Sequence, residues 1–172
     1  MSDDTIRHVA QNFGGVEHRI ELVRIKDGVR FYNDSIASSP SRTIAGLRSF
    51  KEKVILIAGG YDKHIPYDVL GPEVCQHVKK LFLCGATAQQ IRTAVENCGG
   101  EQPEMVDCGD FESAVRAAAA AAARTAFSNL PQSTISGFSI SQFSTAARIW
   151  GAVAPQRNSF FTCWQTSGPS TS

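Results

Sequence analysis

The sequence predicts an α/β domain, with a mainly parallel sheet flanked by helices and a poorly structured C-terminal tail. Two apolar runs, KVILIAGG at 53–60 and KLFLCG at 80–85, are typical of strands that are buried on both faces. Short helical patterns separate these runs and follow them. Strands that alternate with helices form βαβ units, so we expect a doubly wound sheet.

The first predicted pair of strands is a hairpin. Asp27-Gly28 lies between the β-prone runs 20–25 and 29–34. This dipeptide favours a tight turn because glycine adopts a positive φ without steric cost. After the second run, Ser39-Pro40 predicts the start of a helix that extends to about Ser49, with the serine as its N-cap.

The remaining elements continue the alternation. After strand 53–60, the sequence predicts helix 67–78, strand 80–85, helix 87–97, strand 103–108 and helix 111–124. Gly99-Gly100 closes the helix at 87–97, because glycine is favoured just beyond a helix end. Asp110 directly precedes the last helix and is its expected N-cap.

The composition fits one soluble globular domain. The chain has 172 residues, of which 42% are hydrophobic and 19% are charged, and its net charge is +1. Lys and Arg form no run, which argues against nucleic acid or an anionic membrane as a partner. No apolar stretch reaches the roughly 18–20 residues that span a bilayer. No secretory signal is visible either, so the expected location is the cytoplasm.

The cysteines predict neither a disulfide framework nor a zinc site. Their number is odd and no CxxC pair occurs among them. They are Cys75, Cys84, Cys98, Cys108 and Cys163. We expect them to be reduced thiols in the core.

The last 48 residues, 125–172, differ from the rest in composition. They contain only two charged residues, Arg148 and Arg157, together with sixteen Ser or Thr. No helical or strand periodicity is clear there, and a serine-rich segment of this kind is typical of a disordered chain. The expected tail therefore begins at residue 125.

Three clusters hold the candidates for chemistry. They are the segments 14–19 ahead of the hairpin, 32–40 between a strand and a helix, and 58–63 at the carboxyl end of a buried strand. In open α/β sheets, ligands bind at that edge. The sequence contains neither a Walker A motif nor GxGxxG, so no independent triphosphate-binding loop is predicted.

Each cluster also has a purely structural interpretation. His18-Arg19 is compatible with polar surface at a linker. The segment 33–35 is compatible with a simple cap and turn before a helix. Gly59-Gly60 is compatible with a tight turn that leaves Lys63 in solvent.

The order and spacing of the clusters resemble the C-terminal domain of Mur ligases. The matching segments read FGGVEHRIELV at 13–23, GVRFYNDSIASSPSRTIAGLRSF at 28–50 and VILIAGGYDK at 54–63. The last segment is most similar to the member of the family that adds D-glutamate to UDP-N-acetylmuramoyl-L-alanine. The resemblance covers about residues 6–124 and implies a Rossmann-like fold.

The resemblance also implies roles for particular residues. The family forms an amide bond through an acyl phosphate and uses ATP and Mg²⁺. The residues implied are His18, Arg19, Asn33 and Asp34 for the nucleotide, and Ser38 and Lys63 for D-glutamate. The chemistry agrees, because arginine suits a phosphoryl group and lysine suits a carboxylate.

The chain departs from the family pattern in two places. Ile36 stands where many members have lysine, and Ser38 stands where threonine is common. The family's closing Leu-Ser-Pro-Ala strand and the helix after it are replaced by the tail 125–172. A translational frameshift near residue 125 is our hypothesis for this tail, and a wrongly assigned gene is the alternative.

The expected organisation follows from the resemblance. Residues 1–15 are expected to be the end of a linker or helix from a central ATPase domain, residues 16–124 the C-terminal domain, and 125–172 the aberrant tail. The Walker A loop, the Mg²⁺ ligands and the UDP-sugar-binding domain would lie upstream. ATP and Mg²⁺ would then be bound mainly by the central domain.

The expected function is that of a domain that clamps substrate and nucleotide onto the ATPase domain by rigid-body closure. We expect such a fragment to have no ligase activity without the ATPase domain. Two alternatives stay open from the sequence: a stand-alone nucleotide- or amino-acid-binding module, and a non-functional truncation product.

Overall fold

The computed structural model describes residues 2–26, 28–128 and 160–166. Its elements, in chain order, are α1 (Asp3–Asn12), β1 (Glu21–Lys26), β2 (Val29–Asn33), α2 (Pro40–Leu47), β3 (Val54–Gly60), α3 (Leu70–His77), β4 (Val78–Gly85), α4 (Ala88–Glu96), β5 (Glu104–Asp107), α5 (Phe111–Ser128) and β6 (Phe160–Thr166). The predicted α/β fold is confirmed. The predicted alternation of strands and helices between residues 20 and 124 is present, with ends that shift by a few residues.

The strands form one sheet in the order β1-β2-β6-β3-β4-β5. Strands β3, β4 and β5 are parallel, whereas β6 is antiparallel to both of its neighbours, β2 and β3. Because β6 opposes both, β2 and β3 run in the same direction. The carboxyl ends of β2 to β5 therefore lie along one edge of the sheet, and the antiparallel β1 begins at that same edge.

Strand β6 differs from what the sequence predicts for the tail. Its residues 160–166 pair along their backbone with β2 on one side and with β3 on the other. Within the tail that the sequence predicts to be poorly structured, these seven residues form a paired strand. The physical reason is that β2 and β3 would otherwise leave unpaired backbone groups in the middle of the sheet. Residues 125–128 of the predicted tail continue α5, so the helix extends beyond the predicted end at 124. The remainder, 129–159 and 167–172, lies outside the described residues.

The central strand β3 separates two hydrophobic cores. Val54, Leu56 and Ala58 face the core under α2, α3 and α4. Ile55 and Ile57 face the second core, which is built largely from the alanines of α5. Both faces of β3 are thus covered by helices, as its continuous apolar sequence predicts.

Helices α3 and α4 approach each other closely. A side chain at Gly71 would collide with the backbone carbonyl of Ala94, so only glycine fits there. A disulfide links Cys75 of α3 to Cys98, just beyond α4. The expectation of reduced thiols is wrong for this pair. The two cysteines are 23 residues apart in the sequence and come together only because α3 packs against α4.

Two helix starts test the predicted caps. The Asp110 carboxylate accepts the backbone N–H of Ser113 at 2.8 Å, as expected for an N-cap. Ser39 occupies the N-cap position of α2 but makes no side-chain capping bond, and its Oγ lies 3.2 Å from the Oγ of Ser41 instead.

Helix α1 lies ahead of the domain and has no buried residue. Its N-cap, Ser2, accepts the backbone N–H of Thr5 at 3.4 Å. Three large apolar side chains along it and just after it are exposed, namely Ile6, Val9 and Phe13. Across the described part of the chain, no helix is long and apolar enough to cross a membrane.

Candidate functional site

The three predicted clusters lie at one edge of the sheet. Asn33 ends β2 and Gly60 ends β3, and these two strands run in the same direction. Glu21 begins β1 directly opposite Asn33, so the preceding His18-Arg19 lies at the same edge. In open α/β sheets this carboxyl edge is where ligands bind.

The segment that carries His18 has an unusual backbone. His18 and Ile20 have positive φ values of 62° and 44°. Such values are uncommon for residues other than glycine, and for a β-branched residue they mark local strain. Two hydrogen bonds from backbone N–H groups hold the segment: His18 N–H donates to the side-chain Oε2 of Glu21 at 2.9 Å, and Ile36 N–H donates to the His18 carbonyl at 3.3 Å.

The Asn33 side chain connects this segment to β2. It is 3% exposed, and its Nδ2 lies 2.8 Å from His18 Nδ1 and 3.4 Å from Glu21 Oε2. Its Oδ1 accepts the backbone N–H of Ser35 at 3.1 Å. Both ends of the amide are therefore occupied within the protein.

Asp34 is also buried at this edge, although its carboxylate is an acceptor for only one described backbone group. Its Oδ1 accepts the Ile20 N–H at 3.2 Å. Burial raises the Asp34 pKa from 3.8 to about 6, against the opposing effects of that hydrogen bond and of the nearby Arg19 charge. An exposed cation and a carboxyl group with a shifted pKa are the kind of pair found at ligand sites.

A small cavity lies beneath Asp34. Its volume is about 10 Å³, and Tyr32, Thr43 and Leu47 are among the residues that line it. This is about the space that one water molecule needs. Gly46 also borders it, and a Cβ at that position would lie 2.9 Å from Asp34 Oδ2. The carboxyl group is thus held tightly between β2 and α2.

The residues predicted for D-glutamate are less constrained. Ser38 is partly buried at the turn before α2, where its N–H donates to the Ile36 carbonyl at 2.8 Å. Lys63 is exposed in the loop after β3. Ile36, which stands where the family often has lysine, is 40% exposed, so its side chain is available at the same edge.

The loop that carries Lys63 is anchored by Asp62. The Asp62 carboxylate accepts the backbone N–H of His64 at 2.7 Å and the side-chain amide of Gln90 at 2.9 Å. These two hydrogen bonds lower the Asp62 pKa. An open groove of about 460 Å³ lies beside the loop, lined in part by Asp62, Tyr67 and Gln90.

Two residues of the site were not predicted, Glu21 and Asp62. Glu21 begins the strand that the run 20–25 predicts, but nothing in the sequence shows that its carboxylate accepts the backbone N–H of His18. Asp62 belongs to a predicted cluster, but its anchoring partner Gln90 lies 28 positions away. Within the described residues, no three His, Cys, Asp or Glu side chains are grouped so that they could hold a metal ion.

Residues 18–127 match the sequence family described as Mur ligase, glutamate ligase domain. A relative from Acetivibrio thermocellus is 60% identical over 120 residues, which are 67% of this chain and 26% of that protein. Relatives from Clostridium beijerinckii and Ruminiclostridium cellulolyticum are each 51% identical, over 66% and 71% of this chain. All three are named UDP-N-acetylmuramoylalanine–D-glutamate ligase. The chain spans about a quarter of the length of these curated relatives, 25–27%.

Proposed function

This chain belongs to the family of Mur ligase glutamate ligase domains, and we propose that it is the part of a D-glutamate-adding ligase that closes over the nucleotide and the amino acid. The complete enzyme would join D-glutamate to UDP-N-acetylmuramoyl-L-alanine at the expense of ATP. It would do so in the cytoplasm, during synthesis of peptidoglycan precursors.

The observation that carries the proposal is the convergence of the three clusters on one sheet edge. His18-Arg19, Asp34 and Lys63 come from three separate segments, yet the sheet order brings all three segments to the carboxyl ends of β2 and β3. A shared edge is what a two-substrate site requires, because the nucleotide and the amino acid must meet there.

On the nucleotide side, the chemistry of the chain's own residues fits part of a site. Arg19 is an exposed guanidinium, which suits phosphate oxygen atoms. Asp34 supplies a carboxyl group that suits hydroxyl or amine hydrogen atoms of a nucleoside. ATP, when bound, would supply the energy for amide formation, and Mg²⁺ would be held mainly by another domain.

On the amino-acid side, Lys63 would attract a carboxylate of D-glutamate and Ser38 would donate a hydrogen bond. Lys63 is exposed on a loop that Asp62 anchors, so its ammonium group can reach a ligand without breaking a described ion pair. A lysine ammonium that meets a carboxylate in a closed site forms a charge-assisted hydrogen bond.

The proposal is tested in a chimera. Residues 18–127 replace the matching segment of the Acetivibrio thermocellus relative, with that protein's own upstream and downstream segments kept. We expect ADP release that requires both D-glutamate and UDP-N-acetylmuramoyl-L-alanine. The polypeptide of these 172 residues alone is the control and should give none, because it has no Walker A motif. A folded chimera without D-glutamate-dependent turnover contradicts the proposal.

A further inference from the structure

The orientation of the Asn33 amide is determined by its surroundings. Its Oδ1 accepts the Ser35 backbone N–H at 3.1 Å, and a backbone N–H can only donate. The other end of the amide is therefore the NH₂ group, which has donors and no acceptor. That group lies against Glu21 Oε2 and His18 Nδ1.

This orientation also determines the proton position on His18. Because Asn33 Nδ2 donates at 2.8 Å, His18 Nδ1 must accept. A neutral imidazole carries one proton, so a ring whose Nδ1 accepts has its proton on Nε2. The Nε2–H group is then a donor on the side of the ring that faces away from Asn33.

The backbone of His18 is fixed as well. Glu21 Oε2 accepts its N–H at 2.9 Å, which stabilises a residue with a φ of 62°. A strained backbone that the surroundings hold in place is a feature of functional sites. The side chain remains 46% exposed, so a ligand can reach the ring.

We propose that Asn33 and Glu21 are positioning residues that hold neutral His18 with its proton on Nε2, as a fixed donor to an oxygen atom of the nucleotide. The inference rests on the proposed function, which places the nucleotide beside Arg19 and Asp34. Asn33 is buried and both ends of its amide are bonded. It therefore acts through His18 and does not touch the ligand itself.

The chain contains a matched control for this arrangement. On α1, Asn12 Nδ2 lies 3.3 Å from His8 Nδ1 and donates to the His8 carbonyl at 2.8 Å. Both residues are exposed, so water competes for the ring. His8 should therefore exchange between its two neutral forms as free histidine does.

The experiment uses the ¹⁵N-labelled 172-residue chain at pH 8, where a histidine of ordinary pKa, about 6.5, is neutral. Two-bond ¹H–¹⁵N spectra distinguish protonated from unprotonated ring nitrogens, and a His18→Gln sample assigns the His18 signals among the four histidines. We expect an unprotonated Nδ1 and a protonated Nε2 for His18. His8 should give averaged signals.

Asn33→Asp supplies the decisive variant, because a carboxylate oxygen at that position accepts where the amide donated. We expect the His18 proton to move to Nδ1, whereas Asn12→Asp should leave the His18 spectrum unchanged. Glu21→Gln keeps the size and shape of the side chain and should preserve the His18 tautomer. It should weaken the hydrogen bond that the His18 backbone N–H donates to this side chain. Averaged His18 signals in the parent chain, or the same signals in Asn33→Asp, would overturn the proposal.

Titrations of the same chain with ATP, adenosine and inorganic phosphate test the ligand. A response of the Nε2 signal to phosphate assigns the acceptor to a phosphoryl oxygen, and a response to adenosine assigns it to the nucleoside. In Asn33→Asp, we expect an ATP affinity about three- to tenfold weaker, as for the loss of one hydrogen bond. If His18 has the expected tautomer but its Nε2 signal responds to none of these probes, the nucleotide assignment is overturned. The ligase function is tested separately, by turnover of the chimera.

Discussion

The two halves of the candidate site differ in how much of their geometry the domain itself supplies. The nucleotide cluster, defined as His18, Arg19, Asn33 and Asp34, is largely tied together by hydrogen bonds within the chain. The amino-acid pair, Ser38 and Lys63, is not. Lys63 is exposed, and only its loop is anchored, through Asp62.

This difference predicts that substitutions in the two groups of residues have different effects on ligand binding and on stability. The nucleotide cluster is already formed in the isolated domain, so changes there should alter both binding and the stability of the fold. On the proposed function, another domain would complete the site around the amino-acid pair, so changes there should alter binding alone. The four predictions below test this contrast in the chimera with the Acetivibrio thermocellus relative and in the chain itself.

The largest effect is expected at Lys63. Lys63→Ala should raise the KM for D-glutamate by about 10- to 100-fold, because a charge-assisted hydrogen bond of about 1.5–3 kcal/mol is lost. Steady-state kinetics of the chimera measures this, and the melting temperature should not change. A lower melting temperature with an unchanged KM would mean that Lys63 is a structural residue and that the contrast is wrong.

A smaller, reversed effect is expected at Asp34. Asp34→Asn should weaken ATP binding about tenfold, as expected for the loss of one hydrogen bond to a charged group. It should leave the KM for D-glutamate nearly unchanged. Kinetics with each substrate varied in turn gives the ranking. If D-glutamate is affected more than ATP, the two groups of residues have been assigned to the wrong ligands.

Asp62 is the third position to test, because in the proposed site it would hold the Lys63 loop in place and would not contact D-glutamate itself. Asp62→Ala removes the acceptor for the His64 N–H and the Gln90 amide, so the loop loses its anchor. We expect the KM for D-glutamate to rise about three- to fivefold, as for one neutral hydrogen bond. Asp68→Ala, in the same groove, is the control. An effect as large as that of Lys63→Ala would mean that Asp62 contacts the substrate.

The smallest effect is a pH dependence of stability. Burial raises the Asp34 pKa from 3.8 to about 6, so the folded state prefers the protonated carboxyl group. Through this group the chain loses stability as the pH rises between those values. Asp34→Asn has no such proton, so its melting temperature relative to the parent should increase by a few degrees from pH 4 to pH 7. A constant difference would mean that the carboxyl group is solvated as in water.

The sequence alone was sufficient for most of the fold. Asp27-Gly28 and its flanking runs correctly predicted the β1–β2 hairpin, and the apolar run at 53–60 correctly predicted a strand buried on both faces. The same run also placed the cluster 58–63 at the carboxyl end of a buried strand, the edge at which ligands bind in such sheets. These features depend on residues that are neighbours in the chain, where turn geometry and side-chain periodicity act directly.

The tertiary structure decided the rest. The insertion of residues 160–166 between β2 and β3, the disulfide between Cys75 and Cys98, and the contact of Asn33 with His18 all join distant segments. No local pattern encodes such contacts, because they form only when packing brings the segments within bonding distance. The sequence therefore determined the strands and turns that carry the candidate residues, and the strand order brought those residues to one edge. The packed fold determined which of them are bonded in place and which stay open to a ligand.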